Sequence, residues 1–174
     1  MSVSPGALAF RLSLEIGLGN DRRLTFCALL VGLISARTVN LTHLATAFCG
    51  PAKLASNYRR LQRFFQYVRL DPDWLAVTLV RLLCLAPPYL VCLDRTNWKI
   101  GLKDVNLLVL CIATRRVRLP ILWHVLGHGG SSTMAQRQEL LNRFIALFGK
   151  RSIKLLLADR EFVGGQWFDF LVKN

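Results

Sequence analysis

The spacing of hydrophobic residues changes in character about halfway along the chain. Up to about residue 86, apolar residues recur at helical intervals in four segments. After residue 88 they form shorter runs that are typical of strands. The helical segments are Leu24–Ala36, Leu41–Cys49, a segment that begins at Pro51, and Trp74–Leu85.

Residues at the ends of these segments agree with helical boundaries. Asn40 can cap the second helix, and Gly50 lies just past its end. Pro51 suits the first turn of the third helix, and Asp71 with Pro72 can begin the fourth. The pair Pro87-Pro88 then marks a boundary, so we predict a helical region over residues 1–86.

The third helix is predicted to have one packing face and one basic face. Steps of about 100° per residue place the apolar residues on one side and three arginines on the other. With Gln62 and Gln66, this helix and the one before it resemble a helix-turn-helix that lies along DNA. A solvated basic face on a structural helix is the alternative interpretation. The apolar set is Leu54, Tyr58, Leu61, Phe65 and Val68, and the basic set is Arg59, Arg60 and Arg63.

The region from residue 87 to 174 is predicted to be an α/β layer. A capping box of Thr133 and Gln136 opens a helix over Met134–Phe148. The predicted order is β-β-β-α-β-α, with a last helix starting at Gln166. The strands are Tyr89–Leu93, Val105–Ala113, Val117–Leu126 and Ser152–Ala158.

Charge narrows the choice of partner. The 174 residues include 23 Lys and Arg against 10 Asp and Glu, a net charge of +13. This balance favours a polyanion, with nucleic acid first and an anionic membrane second. The 53% hydrophobic content excludes a disordered chain.

Neither a membrane span nor an export signal is predicted. The apolar stretches are short or are interrupted by Arg81 and Pro87-Pro88, and the first residues lack a signal peptide's charged start. The odd number of cysteines, without any CxxC pair, predicts buried reduced thiols in a cytoplasmic protein. They are Cys27, Cys49, Cys84, Cys92 and Cys111.

Two aspartates occupy matching sequence positions. Asp94 ends the first apolar run and Asp159 ends the last, and each is followed by arginine (Arg95 and Arg160). If the two strands are neighbours, the carboxylates converge, as Mg²⁺ requires because it takes oxygen ligands. Aspartates also cap strand ends in ordinary turns, so a structural role stays open.

The segments around these aspartates resemble those of a known family. The motifs Leu93-Asp94-Arg95-Thr96-Asn97-Trp98 and Leu157-Ala158-Asp159-Arg160-Glu161-Phe162-Val163-Gly164 are similar to those of the DDE transposases of bacterial insertion sequences, in the insertion sequence 4 group. The resemblance runs from about residue 40 to the end. It implies a partial ribonuclease-H-like core behind a helical DNA-binding region, with Asp94 and Asp159 as catalytic metal ligands.

The resemblance also implies a third carboxylate, a glutamate within a Tyr-x2-Arg-x3-Glu-x6-Lys signature. Neither Tyr58, Tyr67 nor Tyr89 has arginine three residues on. Glu161 lies too close to Asp159 to replace the glutamate, and we expect it to point elsewhere or to pair with Arg160. The chain is therefore expected to be truncated and inactive alone.

Besides the arginines of the third helix, basic residues around the proposed strand ends are expected to contact DNA phosphates near the metal site, because phosphate contacts position the nucleic acid. Several of them, with Lys103 and Arg118, gather in the proposed turns, where a role as solvated turn residues is the alternative. The glycines 127, 129 and 130 lack a phosphate-loop signature, so no nucleotide cofactor is expected. The predicted DNA contacts are Arg59, Arg60, Arg63, Arg95, Lys99, Arg115, Arg116 and Arg160.

The sequence therefore predicts a transposase fragment in the bacterial cytoplasm, associated with the nucleoid. The intact enzyme would use Mg²⁺ to cut double-stranded DNA at the element's terminal repeats and join it to target DNA. A homodimer or pairing with full-length transposase is expected. The alternatives are a non-catalytic DNA-binding regulator of transposition and a small basic membrane-associated protein.

Overall fold

The computed structural model describes residues 18–48 and 50–173, and for Ile100 only the backbone. The chain forms two compact units that divide between Leu70 and Asp71. Cys49 and the first 17 residues, on which some sequence predictions fall, lie outside the described residues.

The described part of the first unit is helical. It contains α1 (Asn20–Ala36), α2 (Leu41–Thr46) and α3 (Leu54–Tyr67). Asn40 caps α2 as predicted, because its side-chain oxygen accepts the N–H of Thr42 at 2.9 Å. The helix α3 begins at Leu54 rather than at Pro51.

The predicted packing face of α3 is wrong in part. Leu61 is buried, but Leu54 and Phe65 are 48% and 52% exposed, while Phe64 is buried. Phe64 stacks on Phe26 of α1, with ring centres 6.0 Å apart. Two adjacent phenylalanines allow two packing faces, and the contact with α1 selects the one that contains Phe64.

The second unit is an α/β layer. It contains α4 (Pro72–Leu82), four strands and two further helices, with a short 3₁₀ turn at Lys150–Ser152. Asp71 caps α4, and Ala76 and Val80 of this helix belong to the core under the sheet. The remaining elements are β1 (Tyr89–Ile100), β2 (Lys103–Ala113), β3 (Arg118–Val125), α5 (Met134–Phe148), β4 (Ile153–Ala158) and α6 (Gly165–Lys173).

The four strands form one mixed sheet in the order β3-β2-β1-β4. The pairs β1–β2 and β2–β3 are antiparallel, and β4 is parallel to β1. A meander followed by a helix and a parallel strand matches the predicted β-β-β-α-β-α order. The α/β class is therefore confirmed, and the topology is consistent with a partial ribonuclease-H-like core.

The first two strands are longer than predicted, β1 by the greater margin. β1 pairs with β2 as far as Ile100 and Lys103, so Asp94 lies inside the strand and not at its tip. Gly101 turns the hairpin with φ of 63°, which glycine adopts without strain. The polar residues after Leu93 conceal this extension, because they interrupt the apolar run.

The core lies on one face of the sheet. Val91, Leu93 and Leu110 point to this face and are buried with Phe144 of α5 and Trp167 of α6. The opposite face is apolar but more exposed, since Leu90, Trp123, Leu155 and Leu157 are each at least 38% exposed.

The described cysteines are mostly buried. Cys27, Cys92 and Cys111 are buried and reduced as predicted, but Cys84 is exposed. It lies beyond the end of α4, in the left-handed region with φ of 50°. Within residues 18–48 and 50–173, no helix is long and apolar enough to cross a lipid bilayer.

Candidate metal site and nucleic-acid surface

The parallel pairing of β1 with β4 brings Asp94 and Asp159 together. Leu93 and Ala158 are the last register partners of this pair, and each aspartate is the next residue along its chain. Adjacent strands lie about 4.8 Å apart. The two carboxylates therefore start from neighbouring backbone positions at the place where the pairing ends.

Both aspartates line one open pocket of about 420 Å³. Cys92 and Leu157, which are register partners, belong to the same pocket together with Leu93, Ala158 and Arg118. Both aspartates are exposed, so solvent reaches them. The pocket thus joins two acidic groups, one basic group and an apolar floor.

The two carboxylates are held in the same local geometry. One oxygen of Asp94, Oδ1, accepts the backbone N–H of Arg95 at 2.8 Å. Oδ1 of Asp159 likewise accepts the N–H of Arg160 at 2.6 Å. These bonds orient each side chain, and the other oxygen of each aspartate accepts no hydrogen bond from the described residues.

This donor set fits a hard divalent cation. Mg²⁺ binds carboxylate oxygens and keeps several water molecules, so two exposed carboxylates beside an open pocket suit it. Within the described ranges, no group of three His, Cys, Asp or Glu side chains is placed to hold a metal. The described residues therefore offer two protein ligands and room for water or phosphate oxygens.

Arg118 is the basic residue in the pocket. It begins β3, is exposed, and lies opposite Ala113 of β2. The sequence indicates it only as one of several basic turn residues. Because strand register, and not sequence distance, brings it to the pocket, no local motif distinguishes it from Arg115 and Arg116.

Arg95 forms an ion pair on the other side of β1. Its Nε lies 3.1 and 3.2 Å from the two carboxylate oxygens of Glu161, and a terminal nitrogen lies 3.1 Å from Oε2. Of the two arrangements expected for Glu161, the structure therefore shows the one in which it points elsewhere, to Arg95, and does not pair with Arg160. The hydrogen bonds that Arg95 donates to Glu161 raise the pKa of Arg95 above its ordinary value.

A buried asparagine extends this ion pair. Asn106 is 3% exposed, and its Oδ1 lies 3.4 Å from a nitrogen of Arg95. Its Nδ2 donates to the carbonyls of His128 and Gly130 at 3.0 and 2.9 Å. The sequence gives no signal for this network, since its members lie on different elements.

The predicted DNA contacts of the second unit occupy different places. Lys99, Arg115, Arg116 and Arg160 are all exposed. Arg160 is next to Asp159, and Lys99 lies near the hairpin end of β1. Arg115 and Arg116 lie in the β2–β3 turn, beyond Ala113, so the structure does not bring them together with the aspartates.

The three arginines of α3 differ in their surroundings. Arg59 and Arg63 are exposed and border a shallow groove with Gln62 and Gln66. Arg60 is partly buried, because its Nε donates to Oγ1 of Thr25 at 2.6 Å and another nitrogen donates to the carbonyl of Asp21 at 3.3 Å. Arg60 thus connects α3 to α1.

Comparisons with models of protein families, with curated proteins and with solved structures find no match to this chain.

Proposed function

We propose that this chain binds double-stranded DNA and holds Mg²⁺ between Asp94 and Asp159, as part of a DDE transposase of the insertion sequence 4 group. The observation that carries the proposal is the β1–β4 register, which makes the two aspartates neighbours in one pocket. Considered alone, neither aspartate differs from an ordinary strand or turn residue, so the proposal depends on their being neighbours.

The chemistry of the pocket supports phosphodiester recognition. When bound, Mg²⁺ stabilises the charge that develops on the oxygens of a phosphodiester during displacement. The carboxylates of Asp94 and Asp159 hold the cation, and the Arg118 guanidinium offers hydrogen bonds to a phosphate in the same pocket.

The first unit supports DNA binding. Arg59 and Arg63 project from α3 without a partner among the described side chains, and two glutamines lie beside them. Such a surface contacts phosphates and base edges. The proposed DNA is the element's terminal repeats and target, bound by a homodimer or by pairing with full-length transposase.

Cleavage and strand transfer belong, in this proposal, to an enzyme in which a third carboxylate completes the site. The described residues supply two carboxylates, which also favours a second candidate function. That candidate is a non-catalytic protein that occupies the element's ends and thereby regulates transposition.

Fluorescence anisotropy with a labelled DNA duplex tests the proposal. We expect binding that weakens steeply with salt, and that Ca²⁺ strengthens beyond the effect of matched ionic strength. Asp94→Asn with Asp159→Asn should abolish the Ca²⁺ effect. Asp104→Asn, an exposed aspartate of β2 outside the pocket, should retain it.

Nicking of supercoiled plasmid distinguishes the two candidates. Mg²⁺-dependent nicking that Asp94→Asn abolishes supports an active site, whereas DNA binding without nicking supports the regulator. If the duplex does not bind at any salt concentration, both candidates are wrong.

A further inference from the structure

The ion pair of Arg95 and Glu161 joins the two segments that carry the aspartates. Arg95 follows Asp94 on β1, and Glu161 lies in the turn that follows Asp159. Three nitrogen–oxygen distances of 3.1 to 3.2 Å link the guanidinium to the carboxylate. Each side chain is 24% exposed, so solvent only partly screens the pair.

Arg95 lies on the face of the sheet opposite to the metal pocket. Successive strand residues alternate between faces, and Arg95 is the register partner of Leu108, which is fully buried in the core. Asp94 therefore faces the pocket while Arg95 extends to the other side. For this reason the pair does not occupy the carboxylate oxygens that would bind a cation.

The pair holds a segment that the strand ladder does not reach. β4 is at the edge of the sheet, and its pairing with β1 ends at Ala158. Past that point, the turn is closed by the N–H of Phe162, which donates to the carbonyl of Asp159 at 2.9 Å. The Arg95–Glu161 pair connects this turn back to β1.

Arg95 is itself anchored. Asn106 contacts it at 3.4 Å and also binds the carbonyls of His128 and Gly130. The guanidinium is therefore fixed by β2 as well as by the turn. A fixed guanidinium is a firmer support for Glu161 than a free arginine, because less side-chain entropy is lost on pairing.

We propose that the Arg95–Glu161 pair positions Asp94 and Asp159 at the separation that a divalent cation needs. Both are positioning residues, since neither lines the metal pocket. This inference rests on the proposed metal site. It assigns Arg95 a role different from the DNA contact expected from the sequence.

Two variants that each remove one charge distinguish a positioning role of the pair from a purely electrostatic effect on cation binding. If only charge mattered, Glu161→Gln would weaken cation binding and Arg95→Gln would strengthen it, since the arginine repels a cation. Positioning predicts that both substitutions weaken binding, each by about tenfold, as is typical when the support of a metal ligand is removed.

The experiment is a Mn²⁺ titration of the full chain, followed by electron paramagnetic resonance. Lys154→Gln is the matched control, because it removes an exposed positive charge from β4 without breaking the pair. It should bind Mn²⁺ as the wild type does or slightly more tightly. The exchanged double variant Arg95→Glu with Glu161→Arg should recover part of the affinity, which general destabilisation would not produce.

The outcomes separate this inference from the proposed function. If Asp94→Asn and Asp159→Asn leave Mn²⁺ binding unchanged, the metal site itself is wrong. If they weaken it but Arg95→Gln binds as tightly as wild type or more tightly, only the positioning role is wrong. Melting temperatures of all variants, measured without metal, ensure that folded protein is compared.

Discussion

The guanidinium of Arg137 lies 5.0 Å from the centre of the Phe162 ring. Arg137 is 8% exposed, and it donates to the hydroxyl and the carbonyl of Ser132, both at 2.9 Å. This buried cation joins α5 to the loop before it and to the turn after β4. It thus supports, from a third element, the turn that carries Asp159 and Glu161.

Replacement of Arg137 by methionine should destabilise the second unit. Methionine keeps an unbranched apolar side chain but removes both hydrogen bonds and the cation–π contact, at a cost of about 2 to 3 kcal/mol. Urea unfolding measures this loss of unfolding free energy. Arg143→Met is the control, since its pair with Asp73 is more exposed and should contribute at most about 1 kcal/mol. Equal losses of unfolding free energy in Arg137→Met and Arg143→Met would contradict the structural role assigned to Arg137.

The capping box of α5 is present as predicted from Thr133 and Gln136. The hydroxyl of Thr133 accepts the N–H of Gln136 at 3.3 Å, and the Gln136 side chain accepts the N–H of Thr133 at 2.8 Å. Thr133→Ala should lower the free energy of unfolding by about 1 kcal/mol. Ser131→Ala, at an exposed loop position, should leave it unchanged, and a similar loss there would show that the cap is unimportant.

The stability of the second unit should fall at alkaline pH. Burial, and to a lesser degree the neighbouring Cys92 and Asp94, raises the pKa of Cys111 from 9.0 to about 11. The unfolded thiol ionises first, so the native state holds the extra proton between these values. Stability from this group is therefore full below pH 9 and is lost as pH rises towards 11.

The measurement is the free energy of unfolding between pH 8 and about pH 11. Cys111→Ala should flatten the alkaline decline relative to the wild type. Cys84→Ala is the control, because the Cys84 side chain is exposed. If the free energy of unfolding of Cys111→Ala falls with alkaline pH as steeply as that of the wild type, Cys111 is not the group responsible for the decline.

Replacing the different arginines of α3 should have different effects, on DNA binding in some variants and on stability in another. Removing exposed Arg59 or Arg63 should weaken DNA binding and reduce the salt slope by about one for each phosphate that the variant no longer binds. Arg60→Ala should instead lower the stability of the first unit, because Arg60 binds Thr25 and Asp21. Anisotropy titrations at several salt concentrations, with thermal melts, measure both effects. A reversed pattern would show that Arg60 is the DNA contact.

The sequence predicts elements whose pattern is local. The helix Met134–Phe148 has its predicted bounds, because a capping box begins it and Gly149 follows its last residue. The strand that ends at Ala158 also follows from a short apolar run. The convergence of Asp94 with Asp159 is predicted only on the condition that their strands are neighbours, and the β1–β4 pairing meets that condition. The helix and the strand can be predicted because their patterns involve only residues that are close together in the sequence.

Features that depend on tertiary contacts escape sequence reasoning. Phe64 and Phe65 are equally apolar, and only α1 decides which is buried. Glu161 has Arg160 beside it in the chain, yet it pairs with Arg95, which β1 presents from 66 residues away. Arg118 reaches the pocket through the β2–β3 register. In each case the partner is selected by packing that no sequence interval encodes.

Localised cleavage by iron tests most directly whether Asp94 and Asp159 hold one divalent cation. Fe²⁺ with ascorbate and peroxide generates hydroxyl radicals that cut the backbone beside a bound ion. We predict cuts close to residues 94 and 159 in the same protein, suppressed by excess Mg²⁺ and abolished in either Asp→Asn variant. Cuts that persist in both variants, or that fall elsewhere in the chain, would contradict the account.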